Sequence, residues 1–232
     1  MVRMLLIGAG AGGESGTTSI SGQGGGSGAI TQWIGPAMFV PNILQIRVGL
    51  GGTPLAQAGT TAIRYQQKNN AGYVLLSANG GSPTPPTAGT AMTANAFASS
   101  GIFKSTAGQS GAGQDTDITA STSTFLSGGA GGGSTSYGGR VNTKYGYPRV
   151  EGVAGGASGL DGENGWFLTQ PIMLGTGGNG GGYNTGGTGG RGGNGGIGCG
   201  GGGGGRGSTA GGTGGNGGGG AVFYLELVIL IN

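Results

Sequence analysis

Gly8, Gly10 and Gly13 follow the apolar run Met4-Leu5-Leu6-Ile7 in the G-x-G-x-x-G spacing that lets a backbone approach a pyrophosphate. That chemistry also needs a helix N-terminus behind the turn and a carboxylate about twenty residues on for the ribose. Residues 15–28 are too rich in Gly, Ser and Thr for such a helix, and the next acid after Glu14 is Asp115. The spacing is therefore read as a by-product of abundant glycine. Two acidic pairs, Asp115 with Asp117 and Asp161 with Glu163, offer oxygen ligands to a hard cation or two carboxylates to a glycosidic bond. Neither pair sits in a twelve-residue cation loop, and solvated loop carboxylates are the plainer reading. Cys199 is the only cysteine and histidine is absent, which removes Cys–His nucleophiles, zinc sites of mixed ligands and an internal disulfide. No catalytic residue, metal site or cofactor is expected, and the chain reads as a non-enzyme.

Binding is better represented. Tyr137, Tyr145, Tyr147 and Trp166 are interleaved with Arg140, Lys144 and Arg149, the densest polar-aromatic stretch of the chain. Tyr, Trp and Arg combine contact area with hydrogen bonding and dominate interface hot spots. These seven residues are the candidate recognition site; the competing reading makes the aromatics anchors for the flanking glycine segments. Nucleic acid is not an expected partner, because the ten Lys and Arg are dispersed and the net charge is only +3.

The elements that must position these residues are dominated by glycine, 67 of 232 residues. Between Thr176 and Ile197 the chain runs in triplets, with Gly177-Gly178, Gly180-Gly181, Gly186-Gly187, Gly189-Gly190, Gly192-Gly193 and Gly195-Gly196 separated mostly by single small polar residues. A period of three matches the polyproline II helix, which has three residues per turn and no internal hydrogen bonds. Collagen would need one glycine per triplet and abundant proline, yet no proline follows Pro171. Disorder usually goes with high net charge, whereas only 7% of residues are charged here. Glycine-lined faces let neighbouring backbones bond to one another, so packed polyglycine II helices are expected over 176–198.

Outside the triplets, short apolar runs predict strands at 2–7, 29–34, 43–48, 62–65, 73–76 and 221–231, the last apolar on both faces except at Glu226. The first and last of these are natural partners. A short helix is plausible only over 91–98. The expected fold class is mainly β: an antiparallel, jelly-roll-like sandwich base from 1–82 and 221–232, an Ala/Ser/Thr-rich segment at 83–126, and a glycine-rich polyglycine-helix region at 127–220. The first thirteen residues lack a true apolar signal core, and residues 221–231 are too few to span a bilayer, so neither a signal peptide nor membrane insertion is expected.

Leu-Leu-Ile-Gly-Ala-Gly-Ala-Gly-Gly near the start, Ile-Arg-Val-Gly-Leu-Gly-Gly at 46–52, Val-Leu-Leu-Ser-Ala-Asn-Gly-Gly at 74–81, the glycine tracts and the final apolar strand together resemble glycine-rich structural proteins of bacteriophage virions, tail-fibre and tail-tip components above all. The triplet region looks like the polyglycine helix sandwich of T-even-type phage adhesins. The resemblance implies a virion protein made in the host cytoplasm, a homotrimer with other virion proteins as partners, and loops that bind a bacterial surface receptor. A purely structural virion part, such as a head decoration or tail assembly protein, is the alternative. An ice-binding glycine scaffold is a third reading, disfavoured by Arg191 in the Thr185, Thr188, Arg191, Asn194 row.

Overall fold

The computed structural model describes residues 1–65, 72–119, 125–135, 137–142, 159–168 and 174–226. Its strands are β1 (Val2–Ile7), β2 (Ile30–Gly35), β3 (Gln45–Arg47), β4 (Thr61–Tyr65), β5 (Tyr73–Ala78), β6 (Ile102–Thr106), β7 (Ile118–Thr119), β8 (Val141–Asn142), β9 (Phe167–Leu168), β10 (Leu174–Gly175) and β11 (Ala221–Glu226). The fold is mainly β, with antiparallel sheets. A four-stranded sheet runs β11-β1-β2-β6 and a three-stranded sheet runs β3-β4-β5. The first and last strands pair as expected, from Val2↔Glu226 to Ile7↔Ala221.

Period-two alternation explains how the two sheets meet. Val2, Met4 and Leu6 of β1 and Trp33 of β2 point to the face that also holds Ile63, Leu76 and Ala78 of the smaller sheet, and all are essentially inaccessible to solvent. Phe97 closes this core by stacking on Trp33 at 4.8 Å between ring centroids. A jelly roll sets eight strands in two sheets; among the described residues the two larger sheets have four and three strands. The strand expected at 43–48 is paired only at Gln45–Arg47. No helix forms over 91–98. Its polar groups are committed to tertiary partners instead: Met92 N–H donates to Ser105 Oγ, the Asn95 side-chain Nδ2 donates to the carbonyls of Val74 and Leu75, and only a single 3-10 turn follows at Ala98–Ser100.

Every strand of the two sheets runs straight into or out of a glycine-rich segment. β1 continues into 8–16 and β6 into 107–114, while 21–29 leads into β2 and 210–220 into β11. β3 continues into 49–53 and β5 into 79–82, and 56–60 leads into β4. These segments bond to one another, and the donors to any one neighbour recur every third residue. Within 199–206, residues 199, 202 and 205 donate to 196, 193 and 190; residues 200, 203 and 206 donate to 127, 130 and 133; residues 201 and 204 donate to 11 and 14. The same segment accepts from 22 and 25, from 178 and 181, and from 212, 215 and 218. It therefore has six neighbouring segments, and those six bond in turn to each other in a closed ring.

This environment explains the run of consecutive glycines from 200 to 205. All are buried, and a Cβ at any of them would overlap a carbonyl oxygen of a neighbouring segment. Triplets such as Gly192-Gly193-Asn194 belong to segments with one face to solvent, where Arg191 and Asn194 are exposed. Residues before 127 share fully in the bundle, since 8–16 and 21–29 are also surrounded. At the junction with the sheets, Ile7, Leu126 and Cys199 form a small apolar cluster.

Candidate functional site

The end of the bundle remote from the sheets closes in turns at 17–20, 134–135, 183–188 and 206–210. Thr17 shapes the first: its Oγ1 accepts from the N–H groups of Ser19 and Ile20 at 3.1 and 3.0 Å. Asn184 shapes the third, accepting from Gly186 N–H at 3.0 Å and donating from Nδ2 to the Thr188 carbonyl at 2.9 Å. Asp115 holds the second by accepting from the backbone N–H and the hydroxyl of Ser134.

Arg206 ties these turns together. Its guanidinium carbon lies 5.3 Å from the centroid of the Tyr183 ring, and its Nε donates to the Thr18 carbonyl at 3.0 Å. Asn184 N–H donates to the Arg206 carbonyl, Ser208 N–H to the Asn184 carbonyl, and Gly207 N–H to the Thr17 carbonyl. The result is a patch of exposed Thr17, Thr18, Ser19, Thr185, Ser208 and Thr209 around a fixed Arg–Tyr pair. Such a patch offers directional hydrogen bonds, one cation and an aromatic edge, which is equipment for recognition.

Of the seven residues singled out in the sequence, Tyr137 and Arg140 are exposed beside this end, with Arg140 N–H donating to Asp117 Oδ1 at 2.6 Å. Trp166 is half-buried and lies elsewhere. Its carbonyl accepts from Thr176 N–H and its own N–H donates to Thr176 Oγ1, whereas Gly138, next to Tyr137, lies against Gly180. Four residues along an extended segment put the two about 12 Å apart, so Trp166 does not join Tyr137. Lys144, Tyr145, Tyr147 and Arg149 lie outside the described residues. Sequence reasoning passed over Tyr183 and Arg206. The available signal was the lapse of the Gly-Gly-x pattern at Tyr183-Asn184-Thr185 and at Arg206-Gly207-Ser208-Thr209.

The other constellations are spent on structure. Gly8, Gly10 and Gly13 donate to the carbonyls of Ala29, Gly218 and Gly215, and an extended segment, not a helix, follows them. Asp117 and Asp161 accept from the backbone N–H groups of Arg140 and Arg191. Among the described residues no group of three potential metal ligands occurs. Burial pushes the Cys199 thiol up to about 12, against a backbone hydrogen bond with Ser127 that lowers it, so the thiol is held neutral.

Comparison with known protein families matches residues 1–225 to the family described as glycine-rich domain. Among curated proteins, nothing matches the chain.

Proposed function

The chain belongs to the glycine-rich domain family, and we propose, on the resemblance given above, that it is a non-enzymatic bacteriophage virion protein, a tail-fibre or tail-tip adhesin that binds a bacterial surface receptor. In this reading the interlocked segments are packed polyglycine II helices, and they act as a stiff stalk between an attached β base and a recognition end. The observation that carries it is the continuity of strand and glycine segment ending in turns fastened around Tyr183 and Arg206. A surface built on rigid elements keeps its geometry on binding and loses little conformational entropy. The phage assignment, the homotrimer, the other virion partners and the place in the virion come from the resemblance noted above.

A second reading, a purely structural virion part, is favoured by the apolar side chains left exposed on the β base, among them Met38, Ile43 and Ile102. Cell binding separates the two. Fluorescently labelled protein is titrated against a panel of bacterial cells alongside the Tyr183→Ala and Arg206→Ala variants. An adhesin binds some strains saturably and loses at least about tenfold in affinity in either variant. Failure to bind any strain, or binding that ignores both substitutions, favours the structural role. Antibody labelling of intact particles in the electron microscope then tests the location.

A further inference from the structure

The glycine hairpin that follows β3 carries a cleft that recognition at the far end of the bundle does not use. Its two arms, 49–53 and 56–60, are bonded to one another: Gly59 N–H donates to the Leu50 carbonyl and Ala56 N–H closes the turn onto the Thr53 carbonyl, both at 2.8 Å. Leu55 in that turn has a φ of 62°, in the left-handed region where glycine is the usual residue, and its side chain stays 52% exposed. Strain of this kind, accepted in a chain that has glycine almost everywhere else, marks a functional site. The turn is also fixed from behind, because Leu55 N–H donates to the Gly13 carbonyl at 3.2 Å. Against this hairpin lies a half-open cleft of about 390 Å³, the size of a small-molecule pocket.

The lining of the cleft is rich in donors and poor in acceptors. The carbonyls of Gly49, Leu50, Gly52, Thr53, Ala56 and Gly59 already accept from N–H groups of Gly220, Gly59, Gly217, Ala56, Gly12 and Ala9. The N–H groups of Leu50, Gly51, Thr53 and Gln57 belong to the same lining, and among the described residues none of them has an acceptor. Leu50 and Thr53 stand three residues apart, so the bonding period of these segments puts them on one face. Arg47 is the only charged residue of the lining, and among the described residues it has no ion pair. Glu14, in the segment behind the hairpin, is engaged by Gln23 N–H at 3.2 Å. Val48 and Leu50 supply apolar walls. We infer that the cleft binds a carboxylate carried on a compact apolar body. Its oxygens accept from Arg47 and from the lining N–H groups, and the body packs on Val48 and Leu50. A cation would find no carboxylate in the lining, and a sugar would turn its hydroxyl donors toward carbonyls already in use.

The test titrates the full, isotope-labelled chain with isocaproate and follows the backbone amide shifts, with isocaproamide and inorganic phosphate as controls. Saturable shifts are expected at Leu50, Gly51, Thr53 and Gln57, with isocaproamide at least about tenfold weaker and phosphate failing to reproduce them. Arg47→Gln should weaken isocaproate at least about tenfold, and Arg47→Lys, which keeps the charge, should weaken it less. The same spectra show whether either variant keeps its fold, and the wild-type comparison of acid with amide stands without them. Acetyl-Ala-Ala-Leu with a free carboxylate distinguishes two sources of the ligand: tighter binding than isocaproate identifies the C-terminus of a protein chain, weaker binding a free acid. Absence of saturable shifts, shifts spread beyond the hairpin, equal affinity for acid and amide, a phosphate response equal to that of isocaproate, or an affinity unmoved by Arg47→Gln overturns the proposal. None of these readouts involves Tyr183 or Arg206, so failure here is distinct from failure of the adhesin reading.

Discussion

At the residue scale the glycines divide into those a side chain would destroy and those it would not. Gly202 lies in the surrounded segment, and a Cβ there would overlap the carbonyl oxygen of Asn179. Rotamer change cannot relieve a clash between backbones, so Gly202→Ala is expected to cost about 3 kcal/mol or more in urea unfolding. Gly186 sits in an exposed turn where a Cβ meets only Asn184 Oδ1 at 3.9 Å. Gly186→Ala should instead leave stability unchanged or raise it by about 0.4–1 kcal/mol, because it narrows the unfolded ensemble. Equal effects of the two substitutions would show that burial in the bundle does not decide tolerance. Cys199 supplies a pH signature. Its folded value of about 12 exceeds its ordinary 9.0 because burial disfavours the thiolate. The unfolded chain then releases this proton first, so the contribution is intact below about pH 9 and is lost as pH rises toward 12, by about 1.4 kcal/mol per pH unit. Wild type should lose stability relative to Cys199→Ala over that window; parallel curves for the two proteins from pH 8 to 11 contradict this.

At the element scale the question is how outer segments satisfy donors that face no further segment. Side-chain oxygens stand in for the missing backbone: Arg191 N–H donates to the Asp161 carboxylate Oδ1 at 2.7 Å, Asn194 N–H to Asn164 Oδ1 at 2.8 Å, and Asn216 N–H to Asn194 Oδ1 at 2.9 Å. Asp161→Ala should therefore lower stability by about 1 kcal/mol, and Asp161→Asn should retain most of it, because an exposed site lets water replace part of the bond. Faster amide exchange at Arg191 in the alanine variant alone is the local check. These caps also show what the sequence could and could not reveal. β1, β4, β5 and β11 were legible because their apolar residues sit in short runs bounded by glycine, proline or turn residues. The short helix over 91–98 was not, because Met92 and Asn95 commit their polar groups to remote partners that no local propensity reveals. The three-residue bonding period was visible at 176–198, where polar residues mark an open face. It was hidden at 8–16 and 21–29, where alanine, serine and glutamate interrupt the glycines and bonding partners lie far away in sequence. Tyr183 and Arg206 were missed for a related reason: turns 23 residues apart in sequence meet only when the segments are stacked.

At the scale of the whole molecule, base and bundle share one backbone, so their stabilities should be inseparable. Seven strands of the two larger sheets continue directly into glycine segments, and Ile7, Leu126 and Cys199 plug the junction between the two regions. Glycine loses more backbone entropy on ordering than any other residue, and the bundle's bonds close large loops, such as Gly10 to Gly218 and Gly25 to Gly201. An isolated bundle has no large apolar core to offset that loss; the β base supplies it through Met4, Leu6, Trp33, Ile63 and Leu76. Leu6→Ala in the base should cost about 2–5 kcal/mol, and it should lower the same single transition that Gly202→Ala lowers in the bundle. Far-ultraviolet circular dichroism would follow the sheets and amide exchange at residues 200–205 the bundle, with coincident midpoints expected in both variants. Two separated transitions, with Leu6→Ala moving only that of the sheets, would show that the bundle stands without its base. Coincidence would mean that the turns around Tyr183 and Arg206 owe their fixed geometry to a core at the opposite end of the molecule, and Leu6→Ala held below its midpoint should then leave cell binding unchanged while binding and fold fail together above it.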